Sequence, residues 1–384
     1  MTPASFAPSI LITGATGLLG GALAADMLQT DEWSKVLLLV RGEDQSHAVQ
    51  RVVRSLSRFV SAPEVLGRLR SEQVLNGDFT QPGAFIEDPR LTSITRVVNC
   101  AALTSFGANA RAFATNVDGT LRFVHHIRQV SKIERFLHVS TAMICGDRPA
   151  SFVREDDYPR QTTNHLVNYT QSKAEAERLL RLTLPGFPLT IVRPSIIAGH
   201  TELGTAPSSS IFWAFRMSDQ LGMITGQQDG KIDVIPVDYA SRALRFLLLK
   251  PTLKYQSYHI SAGPESACTW DDIAEAFDRS TSWTRPTVGL RSIATTTGYR
   301  TSTIEEIELR KPEFDTLFGR CSKAFMMKAI KLYGAFAGLN TVFDTSRLRE
   351  EGFGPSVKFS DYIGVCQDTS SAYTVADQMM IDFA

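Results

Sequence analysis

Tyr169 and Lys173 stand four residues apart in the segment YTQSK. On a helix, that spacing puts both side chains on one face. A tyrosine with an ordinary pKa of about 10 is a poor acid or base at neutral pH. A lysine cation beside it favours the phenolate and lowers that pKa. The pair therefore predicts a group that gives a proton to an oxygen receiving negative charge, or takes one in reverse. Twenty-eight residues before Tyr169, HVSTAMICG closes an apolar run, with Thr141 just past it. The Thr141 hydroxyl can bond the same substrate oxygen. About one chance YxxxK is expected from average composition in a chain this long. Of the nine tyrosines only Tyr169 has a lysine four residues on. The plainer readings are an exposed helix pair and a strand-end cap by Thr141. A second motif outweighs them.

That motif is TGATGLLG, Thr13 to Gly20, which follows a short apolar run and opens a helical pattern. Gly14 permits a tight turn. Gly17 leaves room for backbone to approach a pyrophosphate, and Gly20 lets helix pack close to strand. Thr16, Leu18 and Leu19 lie between the glycines, where free N–H groups at the helix start favour phosphate. The spacing is G-x-x-G-x-x-G, a variant of the dinucleotide fingerprint. An ordinary glycine-rich turn is the competing reading.

Further residues fall where a dinucleotide would lie. The second strand ends at Val40-Arg41. An acidic residue there suits the ribose of NAD, whereas an arginine pairs with a 2′-phosphate, so Arg41 argues for NADP. Its alternative is a solvated surface arginine. NGDF places Asp78 and Phe79 at the end of the third strand, with Asp78 able to accept a hydrogen bond from the adenine amino group. NCAA ends the fourth strand with Ala101 and Ala102, small residues where the cofactor crosses the sheet edge.

These positions need a scaffold of parallel strands. Runs at 10–13, 36–40, 74–75, 97–99, 136–140 and 189–192 read as strands, separated by stretches long enough for helices. The alternation predicts an α/β fold, a Rossmann-type doubly wound parallel sheet. After Arg193 the pattern changes. TELGTAPSSS (201–210) reads as a loop and 211–221 as a helix. KIDVIPVDYASRALRFLLL reads as strand, turn and helix returning to the sheet, and YHISAG as a further strand. We therefore assign 1–200 plus 231–263 to an NADP-binding Rossmann domain, and 201–230 plus 264–384 to a smaller, mainly helical substrate-binding cap.

Composition removes other classes. The 384 residues hold 40 basic and 40 acidic side chains, without long single-sign runs, so nucleic acid is not an expected partner. No stretch approaches the roughly 20 apolar residues of a membrane span. MTPASFAPSI does not read as a secretory signal. Cys100, Cys145, Cys268, Cys321 and Cys366 are scattered, which predicts reduced thiols, a cytoplasmic location and no structural metal. Cys100 and Cys145 lie near strand ends, but no histidine stands out as their base, and both read as small buried hydrophobes. The apolar run Phe325 to Leu339 reads as a core-facing helix, with a wall for an acyl chain or a surface that touches a membrane as the alternatives.

Taken together, TGATGLLG, NCAA, TNVDGT, HVSTAMICG, YTQSK and VRPSIIAG resemble the extended short-chain dehydrogenase/reductases, over about residues 9–263. The resemblance implies Thr141, Tyr169 and Lys173 as the catalytic set, with Asn116 positioning the lysine through water. It implies that Pro194, Ser195 and Ile197 contact the nicotinamide amide, and that Tyr169 and Lys173 touch the cofactor. VLLLVRG, NCAALTSFG and KIDVIPVDYAS further resemble the fatty acyl-CoA reductases and thioester reductase domains. That implies NADPH-dependent reduction of an acyl thioester, on coenzyme A or a carrier protein, to an aldehyde or alcohol. Two alternatives stay open: a hydroxyl dehydrogenase, ketoreductase or nucleotide-sugar epimerase, and a non-catalytic dinucleotide-binding sensor.

Overall fold

The computed structural model describes residues 6–104, 111–208, 211–224, 226–280, 299–309 and 323–383. Cys321, the SFG of NCAALTSFG and the last two residues of TELGTAPSSS lie outside the described residues.

Seven parallel strands form the central sheet: β1 (Ile10–Thr13), β2 (Val36–Val40), β3 (Val74–Asn76), β4 (Arg96–Asn99), β5 (Arg135–Val139), β6 (Leu189–Pro194) and β7 (Ser257–Ile260). Their order is β7-β6-β5-β4-β1-β2-β3. The chain starts at β1 and winds outward both ways, so its reversal point falls between β1 and β4. In open α/β sheets a ligand binds outside the carboxyl ends of the strands at such a point.

The strands are short apolar runs because both faces are covered. Ile10 and Ile12 of β1 face one core while Leu11 faces the other, and Val36, Leu38 and Val40 alternate in the same way with Leu37 and Leu39. Helix α1 (Leu18–Leu28) and helix α4 (Val237–Leu249) pack together on the first face. The helix expected to return to the sheet does so. Its leading strand does not join the large sheet: Val234 and Ile235 pair in parallel with Ile196 and Ile197.

Helix α2 (Asn168–Thr183) carries YTQSK. Its buried stripe includes Thr170, Lys173, Glu177 and Leu180. That is the spacing of one helix face. An ordinary amphipathic helix buries apolar groups there; this one buries a cation and a carboxylate.

Two further cores lie away from the sheet. One gathers Ala198, Phe212, Phe215, Trp270, Phe277, Tyr299, Phe359 and Tyr362. The other gathers Trp213, Met217, Ile307, Met326, Ile330, Tyr333 and Met379. Helix α3 (Phe212–Leu221) contributes to both, and helix α5 (Lys323–Ala337) to the second. Among the described residues no helix is long and apolar enough to cross a membrane.

Candidate active site

A cleft of about 1010 Å³ runs along the carboxyl ends of the strands. It is lined by the glycine turn, the ends of β2 to β6, and two residues of α5.

At one end lies the turn after β1. Gly14 has φ +72°, and a Cβ on it would lie 2.7 Å from the Ala101 nitrogen. A Cβ on Gly20 would run into the Gly14 carbonyl. Gly17 caps α1 in extended backbone. The turn is thus close enough to the sheet edge to exclude a side chain at Gly14, and the helix close enough to the turn to exclude one at Gly20. The first N–H groups of α1 open on the cleft through Gly17, Leu18, Leu19 and Gly20, with Thr16 beside them. A pyrophosphate fits that arrangement, with the aligned N–H groups and the helix dipole facing it.

Arg41, Asp78 and Phe79 line the next section. The Arg41 side chain is 73% exposed, and its guanidinium lies 3.6 Å from the Asp78 carboxylate. Phe79 packs edge-on against Phe123 at 6.4 Å. Arg51 also lines this section and donates to the Arg41 carbonyl. Sequence reading misses it, although it lies ten residues beyond Arg41. Beneath the glycine turn, Arg58 donates to the carbonyls of Thr16 and Gly17, both at 3.1 Å. It therefore braces the turn from behind.

Ala101 and Ala102 form the floor, and Thr141, Tyr169, Lys173, Pro194, Ser195 and Ile197 the far end. Thr141 caps the turn Ala142–Cys145: its hydroxyl oxygen accepts from the Met143 N–H at 3.2 Å and lies 3.5 Å from the Pro194 carbonyl. Capping and lining the cleft are both properties of this side chain. Lys173 is buried. Its Nζ donates to the Val139 carbonyl at 2.5 Å and lies 3.4 Å from His138 Nε2.

The YxxxK spacing predicts a lowered tyrosine pKa. In the structure, burial instead pushes the Tyr169 phenol up to about 12. The reason is geometric, since Lys173 directs Nζ to groups on β5. Burial also lowers the Lys173 ammonium to about 8, partly countered by the Glu177 carboxylate.

Asn116 is buried outside the cleft lining, in a π-helical turn (Ala114–Gly119). Its amide accepts from the Leu103 N–H at 2.7 Å, donates to the Leu103 carbonyl at 3.0 Å, and donates to Ser172 Oγ at 2.9 Å. It therefore ties the loop after β4 to the residue preceding Lys173.

Burial raises Cys100 and Cys145 each to about 12, so neither is a thiolate at neutral pH. Among the described residues no group of three His, Cys, Asp or Glu side chains is arranged to hold a metal.

Residues 12–244 match a family described as Male sterility protein, an NAD-binding domain. Mouse fatty acyl-CoA reductase 2 is 27% identical over 309 residues, covering 68% of this chain and 59% of that protein. A linear gramicidin synthase chain of Brevibacillus parabrevis is 26% identical over 280 residues, covering 70% of this chain and 5% of that protein. The chain thus spans only part of the length of the curated relatives it matches. The terminal reductase domain of the myxalamid biosynthetic pathway superposes with a TM-score of 0.71 at 21% identity, covering 96% of this chain and 92% of that one, a likeness of fold. With the family match over residues 12–244, the chain belongs to the Male sterility protein family, as an NAD(P)-dependent oxidoreductase of the extended short-chain dehydrogenase/reductase type.

Proposed function

We propose that the chain reduces an acyl thioester with NADPH, releasing an aldehyde that a second reduction can take to an alcohol. The observation that carries this reading is the junction of two spaces. Ile196, Ile211, Tyr333 and Phe336 line both the polar cleft and a narrow apolar pocket between α3 and α5. That pocket is also walled by Phe215, Trp270 and Ile330. A reacting carbonyl at Thr141 and Tyr169 would have an apolar recess beside it for its acyl chain. On this reading 201–230 plus 264–384 is the substrate side and the rest holds the cofactor. The core-facing and acyl-wall alternatives for Phe325 to Leu339 then combine, since α5 buries Met326 and Ile330 in a core and brings Tyr333 and Phe336 to the cleft lining.

NADPH, when bound, supplies the hydride for the thioester carbonyl carbon. The glycine turn would hold its pyrophosphate, Arg41 its 2′-phosphate, Lys173 its nicotinamide ribose, and Pro194 to Ile197 its amide. Hydroxyls of Thr141 and Tyr169 stabilise the oxyanion that forms on the substrate, and Tyr169 provides a proton. The resulting hemithioacetal then collapses: its carbon–sulfur bond breaks, the hydroxyl proton passes to the departing sulfur, and thiol and aldehyde are released. Reduced nicotinamide consumption against a panel of acyl-CoAs and acyl carrier proteins, with products identified by mass, tests the reading. Turnover of hydroxy substrates or nucleotide sugars alone would overturn it.

Two results follow. Arg41→Ala should weaken NADPH binding about ten- to hundred-fold and leave NADH binding unchanged, because a charge-assisted phosphate contact is worth about 1.5–3 kcal/mol. Fluorescence titration of both cofactors measures it, and an unchanged preference would remove Arg41 from the selection. In an acyl-chain series, catalytic efficiency should climb by up to about 0.8 kcal/mol per methylene until the pocket fills. The pocket holds about 40 Å³, so the rise should level off early. A flat response across the series would remove the pocket from substrate binding.

A further inference from the structure

His138 is an imidazole buried within the strand RFLHV, among Phe136, Leu137 and Val139. Nothing in the chemistry above uses it, yet it sits midway along a buried chain of polar groups. The Ala101 N–H donates to Thr13 Oγ1 at 3.2 Å. Thr13 Oγ1 donates to Asn99 Oδ1 at 2.6 Å. Asn99 Nδ2 lies 3.3 Å from His138 Nδ1, and His138 Nε2 lies 3.4 Å from Lys173 Nζ. The chain crosses the adjacent strands β1, β4 and β5. Thr13, Asn99, His138 and Lys173 are each at most 1% exposed.

The direction of each bond follows from what each atom can do. Thr13 Oγ1 already receives the Ala101 N–H, so its own hydrogen goes to the Asn99 carbonyl oxygen. That turns the Asn99 NH₂ toward His138 Nδ1, which must accept. Burial and the neighbouring Lys173 hold the imidazole well below its usual pKa, so the ring is neutral. A neutral imidazole has one donor and one acceptor nitrogen. With Nδ1 accepting, the ring hydrogen sits on Nε2 and faces Lys173 Nζ. An N–H facing Nζ suits an amine lone pair better than an ammonium. Reversing the chain would strand the buried Thr13 hydroxyl without its acceptor.

We infer that the chain Thr13–Asn99–His138, running from the phosphate turn to Lys173, biases Lys173 toward its neutral amine, so that His138 and Thr13 are positioning residues for the lysine's proton. The inference rests on the proposed role of Lys173 at the cofactor ribose, but not on the thioester. The other ionisable groups around Lys173 are Tyr169 and Glu177 on α2 and Cys100 after β4, with Arg111 on the cleft wall. Tyr169 and Cys100 sit at about 12. An alkaline transition near 8 therefore belongs to Lys173.

The test is the NADPH dissociation constant, followed by fluorescence across the alkaline range. Wild type should bind several-fold more weakly above a midpoint near 8, and Lys173→Met should give a flat profile. His138→Phe removes the donor at similar volume. Thr13→Val frees the Asn99 amide to turn while keeping shape and imidazole. Each should raise the midpoint by about one pH unit, the scale of one buried hydrogen bond. Midpoints that stay put or fall would overturn the inference. If His138→Phe does not fold, the isosteric Thr13→Val decides. Imidazole ¹⁵N spectra, with His138 assigned by difference against His138→Gln, give a direct second readout: hydrogen on Nε2 supports the wiring, and hydrogen on Nδ1 overturns it. A wild-type protein that binds NADPH with this pH profile but reduces no acyl thioester would sink the substrate reading and leave this one standing.

Discussion

Tyr169→Phe should lower turnover by on the order of 10²-fold or more while leaving NADPH binding close to wild type. The substitution removes one oxygen and keeps the ring, so the cleft wall between Thr141 and Lys173 stays in place. What is lost is the group that gives a proton to the substrate oxygen. Burial strengthens the case for donation: with the phenol held up at about 12, the proton is on the oxygen throughout the neutral range. An acid for reduction needs that state, whereas a base for oxidation needs the phenolate. The reducing direction should therefore show no tyrosine transition near neutral pH. Single-turnover rates beside cofactor dissociation constants separate chemistry from binding. Turnover near wild type in Tyr169→Phe would remove the tyrosine from the reaction.

Much of this site can be read in the sequence because its parts are local. The glycine turn, Arg41, the NCAA segment and YTQSK each occupy one strand end or one helix turn, where spacing fixes geometry. The run VLLLV reads as a buried parallel strand since nothing in it suits water, and it is one. Contacts between distant segments do not reach the sequence in the same way. Nothing in HVST says that His138 lies against Lys173, because the contact depends on which strands are neighbours. The lowered tyrosine pKa is an inference from spacing alone. The i, i+4 face is shared, but Lys173 reaches past Tyr169 to the β5 carbonyl. Likewise Val234 and Ile235 have the pattern of a sheet strand, and only the fold reveals Ile196 and Ile197 as their partners. Arg51 and Arg58 are legible as cations, though not as residues that line the cleft beside Arg41 and brace the turn.

The helix carrying Tyr169 and Lys173 is fastened by an ion pair that should be costly to break. Arg193 at the end of β6 and Glu177 on α2 are 1% and 2% exposed, and meet through two guanidinium nitrogens at 2.7 to 3.2 Å. Arg193 also donates to the carbonyls of Glu155 and Asp157, at 3.3 and 3.2 Å, and lies over the Tyr158 ring at 4.7 Å. Burial works against the Arg193 charge, and Glu177, with Tyr158 and Glu155, more than offsets it. Glu177→Leu would leave that guanidinium in the interior without its counter-charge, so unfolding free energy should fall by about 3–5 kcal/mol, read from denaturant titration. The double variant Glu177→Leu with Arg193→Met should recover much of the loss, since two packed apolar side chains carry no desolvation penalty. Activity should follow a different course. Lys173 lies one turn before Glu177 on the same face and loses a carboxylate that supports its charge in both variants. The double variant should therefore regain stability and still show the alkaline transition of NADPH binding at lower pH than wild type. A single variant as stable as wild type would show that the pair does not hold α2. A restored double variant with an unmoved transition would separate the helix anchor from the electrostatics of the lysine.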